Sequence, residues 1–160
     1  VDHVLGVRGV QEATNARFLL HKADLGLLQN GWKDTVKRFN LDVPEGPPDP
    51  DNYVAGGNVV EVEGLRLEAM ETPGHTPGSM SYYTEGLLFS GDTLFKGSIG
   101  RTDLPGGDYE EEMRSINTML TKLPDETVVL PGHMAETTIA DEKANNPFFQ
   151  DWKKNQISNH

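Results

Sequence analysis

The feature of this 160-residue sequence that most constrains its fold is a pattern that occurs three times. An apolar stretch runs into glycine, and the next residue is one that can bind a metal: LEAMETPGH ends at His75, LLFSGD ends at Asp92 and TVVLPGH ends at His133. Short apolar runs of this kind predict strands, and glycine lets the backbone turn sharply where each strand ends. Because binding residues commonly sit on loops that a rigid scaffold positions, the pattern predicts one site at one edge of a sheet.

A fourth candidate is the pair Asp2 and His3, immediately before the first predicted helix. Each candidate alone has a simpler interpretation, since a Gly-Asp pair commonly makes an Asx turn and a terminal pair can fray. Their joint occurrence in a chain with only 5 histidines favours a set of metal ligands. His21 follows a predicted strand without a glycine, and we expect it to have a structural role.

Periodicity along the chain predicts a mixture of helices and strands, α/β or α+β, in one domain that spans residues 1–160. Two capped helix starts stand out: Asp108 is followed by Glu111, and Thr138 by Asp141. Helices and strands are expected in this order: a helix near Val4–Val10, a strand at Arg17–His21, a helix at Lys22–Gln29 that Asn30-Gly31 ends, a loop over Leu41–Gly57, hairpins over Asn58–Met70 and Ser79–Ser90, and a strand at Thr127–Leu130.

Charge and composition exclude several functional classes. The chain has 25 acidic against 14 basic residues, a formal net charge of −11, which opposes binding to nucleic acid and to anionic membranes. No apolar run approaches the ~18 residues of a membrane span. The chain has 0 cysteines, which excludes cysteine-ligated zinc and a thiol nucleophile, so a metal site would use histidine and carboxylate.

Three segments in order, TPGHTPGS (Thr72–Ser79), SGDTLF (Ser90–Phe95) and LPGH (Leu130–His133), match a known set of motifs. With them the sequence resembles the metallo-β-lactamase-fold hydrolases, and within these the glyoxalase II-like (hydroxyacylglutathione hydrolase-like) branch. The resemblance implies an αββα sandwich. The family motif Thr-His-x-His-x-Asp-His would begin before Val1, so we expect its two earlier histidines, and the N-terminal strands of the sandwich, to lie upstream of this chain.

The resemblance also implies the role of each ligand. His75 and Asp92 correspond to part of a first metal site, and Asp2, His3 and His133 to a second site that shares Asp92. Two zinc ions are expected in the complete protein, with iron or manganese as alternatives. We expect Asp2 and Asp92 to be catalytic, the attacking group to be a hydroxide that bridges the ions, and the substrate to be a small thioester such as a hydroxyacyl-glutathione. A thiol with a pKa near ~8.5 can leave as thiolate without a general acid.

Two cations follow the bridging aspartate in a glycine-rich segment, Lys96 and Arg101. Arg101 resembles a basic position that contacts the glutathione portion of the substrate, and a guanidinium can grip a carboxylate with two hydrogen bonds. An equally open interpretation is that Arg101 pairs with Asp103 and braces the loop.

Two other functions remain open at this point. A persulfide dioxygenase of the same fold uses one iron and has a similar Gly-Arg-Thr-Asp stretch, matched here by Gly100–Asp103. A chain that retains the fold without catalysis is the third possibility. We expect a cytoplasmic protein, and we expect these 160 residues to need upstream sequence to complete the first metal site.

Overall fold

The computed structural model describes residues 2–43 and 45–158, and for Asp34 and Thr35 it describes the backbone alone. The chain divides into two compact units, Val1–Val54 and Ala55–His160. The two earlier histidines and the N-terminal strands, which are expected before Val1, stay a prediction. Within the described ranges, no helix combines the length and the apolar character that crossing a bilayer requires. One domain over residues 1–160 stays a prediction.

The first unit contains two helices and one pair of very short strands. Helix α1 is the predicted first helix and is confirmed, whereas the strand expected at Arg17–His21 contracts to two residues. The elements are α1 (Val7–Thr14), β1 (Leu19–Leu20), a 3-10 turn (Lys22–Asp24), α2 (Leu25–Phe39) and β2 (Asn52–Tyr53), and β1 pairs with β2 in parallel.

The prediction that the second helix ends at Asn30-Gly31 is wrong. Helix α2 continues through both residues and ends where Asn40 adopts a left-handed conformation with φ 50°. The Asn30 side chain donates a hydrogen bond to the carbonyl oxygen of Gly26 (3.2 Å), so it supports the helix instead of ending it. Helical spacing also continues across the pair, with apolar residues at Leu25, Leu28, Trp32 and Val36.

The second unit is built on a six-stranded sheet with strand order β10-β9-β6-β5-β4-β3. All neighbours are antiparallel except β6 and β9, which run parallel. The strands are β3 (Val59–Val62), β4 (Leu65–Glu71), β5 (Met80–Thr84), β6 (Leu87–Gly91), β9 (Val128–Pro131) and β10 (Thr137–Thr138), and a separate small hairpin holds β7 (Leu94–Phe95) and β8 (Ser98–Ile99).

Two tight turns set the registers of the predicted hairpins, which are confirmed. Glu63-Gly64 joins β3 to β4 with φ values of 49° and 89°, and Glu85-Gly86 joins β5 to β6 with 41° and 82°. Two consecutive residues with positive φ are the signature of the type I′ turn, whose twist matches that of the flanking strands.

Three helices complete this unit: α3 (Tyr109–Lys122), α4 (Ile139–Asn145) and α5 (Pro147–Ser158). Both predicted helix starts are confirmed, because Asp108 accepts the backbone N–H of Glu111 (2.9 Å) and Thr138 accepts that of Asp141 (3.1 Å). The buried apolar core joins these helices to the sheet and the small hairpin through Leu88, Leu94, Met113, Ile116, Met119, Leu120, Val129, Ile139 and Phe149.

Candidate metal centre

The direction of three strands brings three predicted ligands to one edge of the sheet. Strand β4 is antiparallel to β5 and β5 to β6, while β9 is parallel to β6. Strands β4, β6 and β9 therefore all point the same way, and their carboxyl ends share an edge. His75, Asp92 and His133 follow those three ends within a few residues, as the recurring glycine pattern predicts.

One oxygen of Asp92 lies between the two imidazoles. Its Oδ2 atom is 3.4 Å from Nε2 of His133 and 3.8 Å from Nε2 of His75. The Asp92 side chain is 14% exposed, against 20% for His75 and 52% for His133, so the group is open to solvent on the His133 side.

These separations fit metal ligation. Nitrogen and oxygen ligands held at about 2.0–2.2 Å around a tetrahedral ion lie about 3.3–3.6 Å from each other. The Asp92–His133 pair falls in that range, and the Asp92–His75 pair is a few tenths of an ångström wider. Imidazole and carboxylate suit zinc and iron alike, so the donor set admits both metals.

The His75 ring is oriented by a backbone carbonyl. Its Nδ1 atom lies 2.8 Å from the carbonyl oxygen of Arg101, which can only accept a hydrogen bond. Nδ1 therefore carries the proton, and the lone pair of Nε2 faces Asp92. Histidines that bind metals are commonly fixed in this way, by a hydrogen bond from the other ring nitrogen.

Buried hydroxyl groups support the loops beneath the ligands. Thr93, next to Asp92, donates to the hydroxyl of Thr72 (3.2 Å), which also pairs with Ser81 at 3.1 Å. The Ser81 hydroxyl in turn donates to the carbonyl oxygen of Ser90 (3.3 Å). This chain of hydrogen bonds joins the loops that carry His75 and Asp92, and residue spacing alone did not reveal it.

Glu112 is a buried carboxyl behind His75 that the sequence reasoning missed. Its Oε2 atom accepts the backbone N–H of His75 at 2.8 Å, and the side chain has no exposed surface. Burial raises the pKa of the Glu112 carboxyl to about 8, against the lowering effect of backbone hydrogen bonds from His75 and Gly100, and the charge of Asp92 adds to the rise. One sequence signal exists, since Glu112 shares the buried stripe of α3 with Ile116 and Met119.

Arg101 pairs with Asp103, the second of the two interpretations above. Its Nε and Nη2 atoms donate to the two Asp103 carboxylate oxygens at 2.8 and 2.7 Å. Lys96 lies in the exposed turn of the β7–β8 hairpin. Of the two cations predicted to bind substrate, Arg101 therefore already has its guanidinium hydrogen-bonded to Asp103 within the same loop.

This pairing predicts a measurable titration. The hydrogen bond from Arg101 lowers the pKa of Asp103 from 3.8 to about 2, so the pair persists until the pH falls through that value. Replacing Arg101 with Gln removes the charge, and we expect the Asp103 midpoint to rise towards 3.8 in a ¹³C NMR titration of the side-chain carboxyl. An unchanged midpoint in Arg101→Gln would show that another group holds Asp103 ionised.

The remaining predicted ligands, Asp2 and His3, lie in the first unit. They form a turn ahead of α1, with 3.7 Å between Nε2 of His3 and Oδ2 of Asp2. Their side chains are 65% and 45% exposed, respectively.

Comparison with known proteins adds a family match. The model of the Metallo-beta-lactamase superfamily matches residues 1–133. "Probable metallo-hydrolase YqgX" of Bacillus subtilis is 37% identical over 150 residues, which cover 92% of this chain and 70% of that protein. "Hydroxyacylglutathione hydrolase GloC" of Haemophilus influenzae is 44% identical over 94 residues, covering 58% of this chain and 44% of that protein.

The chain is also similar to several solved structures. A di-iron-bound form of TTHA1623 superposes with a TM-score of 0.80 at 38% identity, and the BLEG-1 B3 metallo-beta-lactamase with 0.82 at 35%; each likeness covers 92% of this chain and 72% of the other. ETHE1 from Myxococcus xanthus has a TM-score of 0.70 at 28% identity and covers 94% of this chain and 63% of its own.

Proposed function

The chain belongs to the metallo-beta-lactamase superfamily, and we propose that it is a metal-dependent hydrolase that cleaves small thioesters of the hydroxyacyl-glutathione kind. The single observation that carries the proposal is the convergence of the His75 and His133 imidazoles on one oxygen of Asp92. The likeness to hydroxyacylglutathione hydrolase GloC supports the choice of substrate class.

We assign the ligands as follows. His75 and Asp92 contribute to one metal site, and His133 with Asp92 to a second, to which we assign Asp2 and His3 by their place in the family motif. All have donor atoms of the type that holds divalent ions. Such ions, when bound, supply a water that ionises near neutral pH and a Lewis acid for the substrate carbonyl. Asp92 would be shared by the two sites, and Asp2 and Asp92 are the proposed catalytic carboxylates.

A thioester is the substrate class that asks least of the side chains. The chain has 0 cysteines, so no thiol can form an acyl-enzyme. A leaving thiol with a pKa near ~8.5 departs as thiolate, and no side chain has to protonate it. Oxygen esters and amides, whose leaving groups are far more basic, would need an acid.

We propose that Lys96 provides the positive charge for an anionic substrate. It lies in the hairpin that follows Asp92 and is exposed. Arg101 can take a substrate carboxylate only if Asp103 is displaced from its two hydrogen bonds. Its backbone carbonyl already serves the centre, because it orients His75.

The second candidate is an iron-dependent persulfide dioxygenase. The likeness to ETHE1 and to a di-iron-bound protein supports this candidate. His75, Asp92 and a further histidine would suit one iron. A third candidate, a fold retained without catalysis, is favoured only if the chain binds no metal.

An activity panel tests the proposal. We expect the complete protein, loaded with Zn²⁺, to release thiol from a hydroxyacyl-glutathione thioester, and we expect chelation with EDTA to abolish the release. Iron-loaded protein is assayed in parallel for oxygen uptake with glutathione persulfide, and the zinc form for hydrolysis of a chromogenic β-lactam. Glu110→Gln, an exposed change on α3, serves as the control variant.

Each alternative has its own outcome in that panel. Oxygen uptake with persulfide and no thioester cleavage would make the dioxygenase the function. Hydrolysis of the β-lactam alone would contradict the proposed thioester substrate, but the protein would still be a metal-dependent hydrolase. Inactivity on every substrate, with no ion bound, would support the fold without catalysis.

A further inference from the structure

A buried carboxylate on α4, Glu142, makes hydrogen bonds to three different segments of the second unit. It is 3% exposed. Its Oε1 atom accepts the hydroxyl of Thr137 at 2.7 Å, and its Oε2 atom accepts the backbone N–H of Gly97 at 3.0 Å and the side-chain N–H of Asn146 at 2.8 Å. Burying a carboxylate is costly without such partners, so the three donors stabilise a charge in this place.

Two of these partners lie directly downstream of metal-ligand candidates. Gly97 is in the turn of the β7–β8 hairpin, the first structure after Asp92. Thr137 begins β10, where the loop that contains His133 returns to the sheet. The Glu142 carboxylate therefore forms hydrogen bonds to both chain segments, the one that follows Asp92 and the one that follows His133.

Asn146 reinforces the same hairpin. Its amide also donates to the carbonyl oxygen of Ser98 at 3.0 Å, and its Oδ1 atom accepts the backbone N–H groups of Phe148 (3.1 Å) and Phe149 (3.3 Å). The hairpin is thus held at two positions by the α4–α5 junction, and its turn has little freedom to shift.

The held hairpin places an aromatic ring against a ligand candidate. Phe95 meets His133 edge-on, with 6.2 Å between ring centroids and an interplanar angle of 72°. Phe95 is separated from Gly97 by one residue, so the hydrogen bond at Gly97 fixes where this ring stands. The His133 side chain is 52% exposed, and the Phe95 ring is one of the contacts that restrain how its imidazole turns.

We infer that Glu142 is a positioning residue of the metal centre, which clamps the β7–β8 hairpin to the end of the His133 loop and so holds Phe95 against the His133 imidazole. The inference rests on the proposed role of His133 as a metal ligand. Groups that hydrogen-bond a metal ligand directly typically change metal affinity by about 10- to 100-fold when they are lost, and we expect the lower end for Glu142, which acts through Phe95.

Three variants distinguish a role of Glu142 in positioning His133 from a role in the stability of the fold alone. Glu142→Ala removes every hydrogen bond of the carboxylate. Glu142→Gln can preserve the network, because its carbonyl oxygen accepts from Gly97 and Asn146 while its amide donates to the Thr137 hydroxyl, which can also accept. Thr137→Val has nearly the same shape as the native residue and releases only the His133 loop.

Two readouts are needed, the ¹⁵N NMR signals of the His133 ring in the metal-free chain and the Zn²⁺ affinity measured by competition with a chelator. Glu142→Ala and Thr137→Val are expected to shift or broaden the ring signals and to weaken Zn²⁺ binding by about tenfold or more. Glu142→Gln is expected to stay within about twofold of the native chain, as is the Glu110→Gln control.

The inference is overturned if Glu142→Ala melts earlier yet keeps the native His133 signals and Zn²⁺ affinity in its folded fraction. If Glu142→Ala does not fold, Thr137→Val decides by the same two readouts. If the native chain binds no Zn²⁺, the proposed function fails on that result, and the ring signals of the metal-free variants still decide whether Glu142 positions His133.

Discussion

Asp92→Ala is expected to reduce thioester turnover by at least about a thousandfold and to lower the number of ions retained per chain. Both imidazoles face the same Asp92 oxygen, at 3.4 and 3.8 Å, so one substitution removes a ligand from both proposed sites. The expected loss is large because the reaction depends on the bound ions for its nucleophile and for stabilising charge. Steady-state kinetics and metal analysis by mass spectrometry measure the two effects.

The matched control for this variant is Asp151→Ala on the outer surface of α5. Asp151 makes an exposed ion pair with Lys154, at 3.2 Å, and such pairs contribute about 0–1 kcal/mol. The control should keep native turnover and metal content. If Asp92→Ala kept a turnover within about tenfold of that of the native chain, Asp92 would not have the central catalytic role that we propose.

Gly100→Ala is the second change with a large expected effect. A Cβ atom at Gly100 would lie 1.8 Å from the carbonyl oxygen of Asp92 and 2.7 Å from Oε1 of Glu112. The first contact is with backbone, so no side-chain rotation relieves it, and the Asp92 loop has to move. Overpacking of this kind costs about 1–3 kcal/mol and occasionally more, and we expect the upper end here, with Zn²⁺ binding weakened as well.

For a chain of this size, about 3 kcal/mol corresponds to a fall of roughly 6–12 °C in the midpoint of thermal unfolding. Differential scanning calorimetry of the metal-free protein measures it. Gly31→Ala is the control, because a Cβ there meets nothing within 4 Å, and alanine favours a helix over glycine by up to about 1 kcal/mol. Equal midpoints for Gly100→Ala and the native chain would contradict the close packing of Gly100 on Asp92.

The part of the site that follows from strand direction could be predicted from the sequence. His75, Asp92 and His133 each come after an apolar run and a glycine, and the sheet brings the ends of β4, β6 and β9 together. The hairpins and the helix starts at Asp108 and Thr138 were also predictable, because turn and capping residues act over three or four positions.

The parts that depend on distant contacts could not be predicted. Glu112 meets His75 across 37 positions, and Glu142 meets Gly97 across 45. Helical spacing places Glu112 on the buried stripe of α3, but no local pattern shows which distant backbone groups either carboxylate contacts. The prediction that α2 ends at Asn30-Gly31 failed for another reason. The apolar stripe of α2 continues past this pair and outweighs two residues that often end a helix.

The measurement that tests the central claim most directly is anomalous X-ray diffraction from crystals of the full chain soaked in Zn²⁺, recorded on both sides of the zinc absorption edge. The account predicts an anomalous peak about 2.0–2.2 Å from a carboxylate oxygen of Asp92 and from Nε2 of His75 or His133. Zinc peaks elsewhere on the chain, with none beside Asp92, would contradict it.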